Sequence, residues 1–144
     1  MRYAISYVST KSPSVKEEEI YKVLEDSCSY NNENNITGLL VYFDGNFFQL
    51  IEGEKEAVRE LFYNKIKKDS HHRNIIKFLE KEITNPAYDG YDCDIVNNQF
   101  KIDTSKLHKY INHLKVLDPE VRKPVTAILK SIIPDIESRL ATTS

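Results

Sequence analysis

The chain predicts an α+β fold of the ferredoxin-like type, a βαββαββ sheet with two helices on one face and two carboxyl-terminal helices on the other. Three observations carry this prediction. Short segments alternate apolar and polar residues with the period of a strand, apolar stripes with helical spacing lie between them, and the dipeptide Asp44-Gly45 joins two of the strand-like segments.

The first strand is written in Tyr3, Ile5 and Tyr7 against Ala4, Ser6 and Val8, and the polar run Ser9 to Pro13 closes it. A helix follows, with the apolar stripe Ile20, Val23, Leu24, Ser27 and Cys28. Ser14 and Glu17 have the spacing of a capping box at its start, and the Asn31 to Asn35 cluster ends it. Gly38 to Phe43 and Asn46 to Glu52 then read as a hairpin, whose Asp44-Gly45 turn suits positive φ angles. A second helix starts at Gly53 and carries Val58, Leu61, Phe62, Lys65 and Ile66 on one face, with Asp69 to His72 ending it. Two more strands are expected at Ile75 to Ile83 and Tyr91 to Val96, separated by Asn85-Pro86. Beyond them, Leu107, Tyr110, Ile111 and Leu114 form one helical stripe, and Val125, Ile128, Leu129 and Ile132 another, starting near Pro124 and stopping before Pro134.

The length of 144 residues fits one globular domain with a terminal extension, and the resulting division is 1–97 for the core and 98–144 for the helical part. No apolar run is long enough to span a membrane, and the amino terminus lacks the pattern of a signal peptide, so a cytoplasmic location is expected. Lys and Arg (20) nearly balance Asp and Glu (22), which gives no field attracting nucleic acid. The two cysteines, Cys28 and Cys93, lack the paired spacing of a zinc or redox site. His108 and His113 are five apart and would not align as metal ligands on one helix face, so no metal is expected.

Chemistry is most legible where a polar residue falls at a position that periodicity assigns to the interior, because a buried polar group needs a partner. Asn31 returns to the inward face at the end of the first helix, Lys65 interrupts the inward stripe of the second, and Gln49 points the same way as Phe47 and Ile51. Tyr7 ends the first strand. Each residue alone has an ordinary structural explanation: a rim hydroxyl for Tyr7, a helix cap for Asn31, a snorkelling stem for Lys65. Together they bring a phenol, two carboxamides and a cation to a cleft between the helices and the sheet. Such a cleft suits a flat heteroaromatic ligand with carbonyl and imide edges, with Ile20, Leu24, Val58 and Phe62 sandwiching its rings.

At this point the residues resemble a family, the BLUF domains, sensors of blue light using flavin. The resemblance rests on Tyr7-Val8-Ser9, the Asn31 helix end, Ile36-Thr37-Gly38-Leu39-Leu40 and Phe48-Gln49-Leu50-Ile51-Glu52-Gly53-Glu54 in order and at the family's spacing. It covers residues 1 to 97. It implies a blue-light photoreceptor that binds a flavin non-covalently, FAD with FMN as the other possibility, and that is not an enzyme. Asn31 would bond the pyrimidine edge of the flavin, and Gln49 would bridge the ring and Tyr7. In the family, light drives an electron and then a proton from the tyrosine, and recombination leaves the glutamine rotated or tautomerised.

The resemblance also marks departures. Lys65 stands where some members carry an arginine, and Asp69-Ser70-His71-His72 resembles an Asp-x-Arg-His stretch with His71 for the arginine, so Asp69, His71 and His72 join the cofactor-binding set. Tyr91 and Cys93 replace the family's usual tryptophan and methionine on the fifth strand, the expected relay of the signal. Residues 98–144 carry no effector motif, so output is expected through an unidentified downstream protein. The surplus apolar surface around Ile128, Leu129, Ile132 and Ile133 is expected to build a homo-oligomer.

Two other functions fit the same scaffold. An acylphosphatase-like enzyme would need a glycine-rich, arginine-bearing phosphate cradle, and the turn after the first strand has neither. An adaptor that kept the fold but lost the light reaction would act through its surface alone.

Overall fold

The computed structural model describes residues 2–43, 45–84 and 91–96, together with the two helical positions Lys123 and Thr126. The chain divides into two units, Met1–Ile95 and Val96–Ser144. The expected carboxyl-terminal helices and their oligomer-forming stripe lie outside the described residues.

Five strands and two helices follow in the expected order: β1 (Arg2–Lys11), α1 (Glu17–Glu33), β2 (Thr37–Phe43), β3 (Asn46–Glu54), α2 (Lys55–Glu60), β4 (His72–Ile83) and β5 (Tyr91–Val96). They form one sheet in the order β4-β1-β3-β2-β5, and β1 pairs antiparallel with both β3 and β4. This is the α+β, ferredoxin-like arrangement that the alternation of periods predicted.

Alternation sorts the strands into two faces. Tyr3, Ile5, Tyr7, Leu40, Tyr42, Phe47, Ile51 and Tyr91 pack with Ile20 and Leu24 of α1 and Val58 of α2 in one apolar cluster, which puts both helices on the same side. The opposite face is also withdrawn from water, with Leu39, Val41, Phe48 and Leu50 all buried.

Local chemistry explains the boundaries. The Ser14 and Glu17 box does not form: α1 starts at Glu17, the flanking Lys16 makes no side-chain cap, and Glu17, Glu18 and Glu19 instead place negative charge on the first turn, where the helix dipole favours it. Asn31 lies within the helix, not at its cap. Asn34 is the cap, and Asn35 takes the left-handed conformation at φ 58°. The hairpin pairs Phe43 with Asn46, and Gly45 supplies the positive φ of 83° that its turn needs. Gly38 is a glycine for a steric reason, since a Cβ there would fall 2.1 Å from the Leu50 carbonyl oxygen. Helix α2 begins at Lys55, not at Gly53, because the Glu54 carboxylate caps the amides of Glu56 and Ala57.

From Leu61 to Ile66 the second helix widens into a π-helical stretch, closed by Lys67 N donating to Phe62 O at 2.9 Å. The wider turn rotates the side chains that follow relative to an α-helical count. The register of β4 on β1 also slips between Ser6 and Tyr7, a bulge-type irregularity at the tyrosine.

Candidate functional site

A cavity of about 230 Å³ lies between α1, the π-helical stretch and the sheet. Seven of the polar residues singled out in the sequence line it: Tyr7, Asn31, Gln49, Lys65, Asp69, His71 and His72. They come from β1, α1, β3, the π-helical stretch and the turn into β4, so only the tertiary fold brings them together.

Gln49 is the centre. It is 3% exposed, and both ends of its carboxamide are engaged: Tyr7 Oη donates to Gln49 Oε1, and Gln49 Nε2 donates to Tyr91 Oη. Burial pushes the Tyr7 phenol up, and the charge of Asp69 adds to the effect. Tyr91 is likewise raised, first by burial and then by Cys93 and Tyr7, against the opposing hydrogen bonds of Gln49 and Asn31. Both phenols therefore keep their protons at neutral pH.

The histidines play different parts. His72 Nε2 contacts the Ile66 carbonyl at 2.7 Å, and a carbonyl can only accept, so that nitrogen carries hydrogen. In the neutral ring Nδ1 then accepts from Ser9 Oγ at 2.7 Å, which leaves neither ring nitrogen free for a ligand. The ring stands edge-on to Tyr7 and Phe47 at 6.0 and 6.1 Å between centroids. His71 is exposed and turns to Asp69, whose Oδ1 also accepts from its backbone amide at 2.9 Å. Lys65 lies over the Tyr30 ring with Nζ 4.1 Å from its centroid, and Nζ also bonds the Tyr30 hydroxyl.

Asn31 Oδ1 is buried without a hydrogen-bond partner. Desolvating an acceptor without pairing it is costly, so this atom points to a missing donor in the cavity that Asn31 lines. The imide N–H of a flavin is such a donor, and the carboxamide, the phenol and the apolar lining of Leu40, Phe47, Leu61 and Ile66 fit the rest of a flat heteroaromatic ring.

The expected apolar sandwich is displaced. Ile20, Leu24 and Phe62 are 1%, 5% and 1% exposed, belong to the core with Val58, and are not among the cavity-lining residues. Of the predicted α1 stripe, Val23 and Ser27 line the cavity together with Tyr30, and on the second helix Leu61, Lys65 and Ile66 do so. Val23, Ser27, Leu61 and Ile66 all stand on the stripes that helical spacing predicts, so periodicity found them as inward positions; what it could not do was divide those stripes between core and cavity.

Tyr91 reaches Gln49 from β5, and Cys93 Sγ donates to the Leu24 carbonyl of α1 at 3.2 Å. The Tyr91 backbone is itself held by α1: Asn32 Oδ1 accepts from Tyr91 N at 3.1 Å, and Asn32 Nδ2 donates to Tyr91 O at 3.2 Å.

A sheet with two helices on one side, and a buried carboxamide between two phenols beside an unpaired acceptor, makes a cavity suited to a flat hydrogen-bonding ligand. Residues 3–94 match the family model described as sensors of blue-light using FAD, and the chain belongs to this BLUF family. It is 30% identical over 84 residues to the photoactivated adenylate cyclase subunit alpha of Euglena gracilis, which spans 58% of this chain and 8% of that one. It is 35% identical over 69 residues to the blue light- and temperature-regulated antirepressor BluF of Escherichia coli (strain K12), 45% of this chain and 17% of that one. The chain thus spans less than a fifth of the length of these curated relatives. Among solved structures, the photo-activated state of BlsA superposes with a TM-score of 0.64 at 25% identity, covering 87% of this chain and 91% of that one. A bacterial light-regulated adenylyl cyclase superposes at 0.63 and 28% identity, covering 91% of this chain and 34% of that one.

Proposed function

We propose that residues 1–97 are a blue-light switch in which Tyr7 and Gln49 are the photoactive pair, and that 98–144 form a helical extension serving output. The carrying observation is the Gln49 carboxamide held at both ends by buried phenols, beside the unpaired Asn31 acceptor. Asn31, Gln49 and Tyr7 would hold the cofactor's polar edge, with Lys65, Asp69, His71 and the ring of His72 around the rest of the cavity. A solved structure of Klebsiella pneumoniae BlrP1, which shares the fold at 22% identity, is described with FMN, whereas the family description names FAD; we assign FAD to this chain.

When bound, a flavin supplies absorption of blue light and, once excited, a strong electron acceptor. Tyr7 is the residue placed to give up an electron, since its phenol lines the cavity as a neutral donor. Its proton already lies on the hydrogen bond to Gln49 Oε1, so loss of that proton is felt first by the carboxamide. Gln49 can answer by rotating or tautomerising, because one end donates and the other accepts, and the electron and proton then return to Tyr7, so the rearranged carboxamide remains with no net redox change. The change passes to Tyr91, and through β5 to Cys93 and α1, and biases a two-state arrangement of the scaffold. No substrate is turned over. The output goes through a downstream protein in the cytoplasm and through a homo-oligomer built on the carboxyl-terminal stripe; among the described residues no helix is long and apolar enough to cross a membrane.

The test is direct. Protein refolded with excess FAD should retain visible absorption after gel filtration, and blue light should shift the flavin band to the red, reversibly in darkness. Gln49→Leu keeps the volume but loses both hydrogen-bonding ends, so it should abolish the shift. A colourless wild-type protein would leave the adaptor reading, and a normal shift in the Gln49 variant would refute the switch.

A further inference from the structure

Gln49 stands between two groups that can each play either part in a hydrogen bond. In the observed orientation Tyr7 donates to Oε1 and Tyr91 accepts from Nε2. A phenol both donates and accepts, whereas an amide has one end of each kind. Half a turn of the carboxamide about its terminal bond would reverse both hydrogen bonds and lose neither: Tyr7 would accept from Nε2, and Tyr91 would donate to Oε1. Both phenols are buried and carry the protons this reversal needs.

Tyr91 is also held where the exchange requires it. The Asn32 carboxamide brackets its backbone N–H and C=O at 3.1 and 3.2 Å, and Cys28 Sγ donates to the same carbonyl at 3.1 Å. Three contacts from α1 thus fix the start of β5 without using the Tyr91 hydroxyl. Asn32 itself is not among the cavity-lining residues.

We propose that Tyr91 is a positioning residue that satisfies Gln49 in both orientations of its carboxamide, so that the protein scaffold favours neither state and the bound ligand's edge selects between them. The proposal rests on the light-switch reading, and it concerns the kinetics of return. A partner that served only the observed orientation would, once removed, leave the rate of escape from the other orientation unchanged. A partner that serves both holds the reversed orientation too, and its removal must speed the return.

The experiment uses the full chain reconstituted with FAD. After a blue-light pulse, Tyr91→Phe should keep the light-induced shift and recover in darkness roughly two- to tenfold faster than wild type, the factor that one net hydrogen bond implies. Asn32→Ala, which removes two of the three α1 contacts on the Tyr91 backbone but leaves the cavity lining intact, should change the rate in the same direction. Unchanged or slower recovery in Tyr91→Phe overturns the proposal, and the same result in Asn32→Ala overturns it should the first variant fail to fold. A second readout needs no flavin. In isotope-labelled protein without cofactor, the Gln49 side-chain amide should give two resonance pairs in exchange, exchanging faster in Tyr91→Phe. One non-exchanging pair in wild type overturns the proposal. If no FAD binds, the light-switch reading fails on its own, and the Gln49 resonances still decide this inference.

Discussion

Two polar centres on the same helix-facing side of the sheet are built in opposite ways. Gln49 on β3 meets neutral phenols at both ends, whereas Glu80 on β4 accepts from Tyr3 and Tyr63 at 2.7 and 2.6 Å, from Lys77 at 2.6 Å, and from Arg59. The Glu80 donors cannot exchange roles with it: a carboxylate only accepts, and lysine and arginine only donate. Burial alone would raise the Glu80 carboxyl, but the hydrogen bonds of Lys77, Tyr63 and Tyr3 outweigh it and bring its pKa down to about 2. One centre is locked by complementary charge, and the other is poised by ambivalence. The locked one ties the second helix to β1 and β4 through Arg59, Tyr63, Tyr3 and Lys77.

Exchanging the two lesions breaks this comparison most sharply. Gln49→Leu should remove the light response entirely while leaving a folded, flavin-binding protein. Glu80→Leu should do the reverse: a reconstituted protein that still responds to light, but with an unfolding free energy lower by about 2 kcal/mol and a correspondingly lower urea midpoint, because Arg59 and Lys77 lose a charged partner. A light response lost in the Glu80 variant at unchanged stability would show that the two centres are not separable.

Acid should act on the locked centre. The Glu80 pKa is lowered in the folded state from an ordinary 4.5 to about 2, so the stability it contributes is present above 4.5 and is lost as pH falls from there towards 2. Urea midpoints measured across that window should fall less in Glu80→Gln than in wild type. Alkali should act on the poised centre. The Tyr7 and Tyr91 pKa values are raised above 10.0, so their contribution is complete below 10.0 and declines as pH climbs past it. Tyr7→Phe should make the alkaline fall in stability shallower, a difference read by the same titration and absent if the buried phenols do not titrate.

The smallest effect is expected at the edge of the cavity. Lys65 is exposed and rests on the exposed Tyr30 ring, so Lys65→Met should change stability by no more than about 1 kcal/mol. A larger loss of stability in the flavin-free protein would show that this pair holds the two helices together.

Legibility followed the range of the interactions. Strand period, the Asp44-Gly45 turn and the inward direction of Gln49 are local, and all three were readable. Gly38 was readable as part of a motif, but its reason, a contact with the Leu50 carbonyl on the neighbouring strand, was not. Leu61 and Ile66 were readable as inward positions, but which inward residues line the cavity and which, like Phe62, close the core depends on how the helices pack on the sheet. His72 was expected near the cofactor from the resemblance alone and lines the cavity, yet the commitment of both ring nitrogens to Ser9 and Ile66 depends on where β4 begins.

By itself the sequence determined which residues were available: a tyrosine, an asparagine and a glutamine at inward positions of three elements, spaced as the BLUF family spaces them. Only the tertiary structure decided what Gln49 faces. Strand β5 is the last described in the chain, yet it joins the sheet beside β2, and from there the Tyr91 side chain reaches the far end of a carboxamide on β3. No period or spacing encodes that meeting, since it depends on a pairing between segments that are distant in the chain, and on the Asn32 bracket that holds the tyrosine in place.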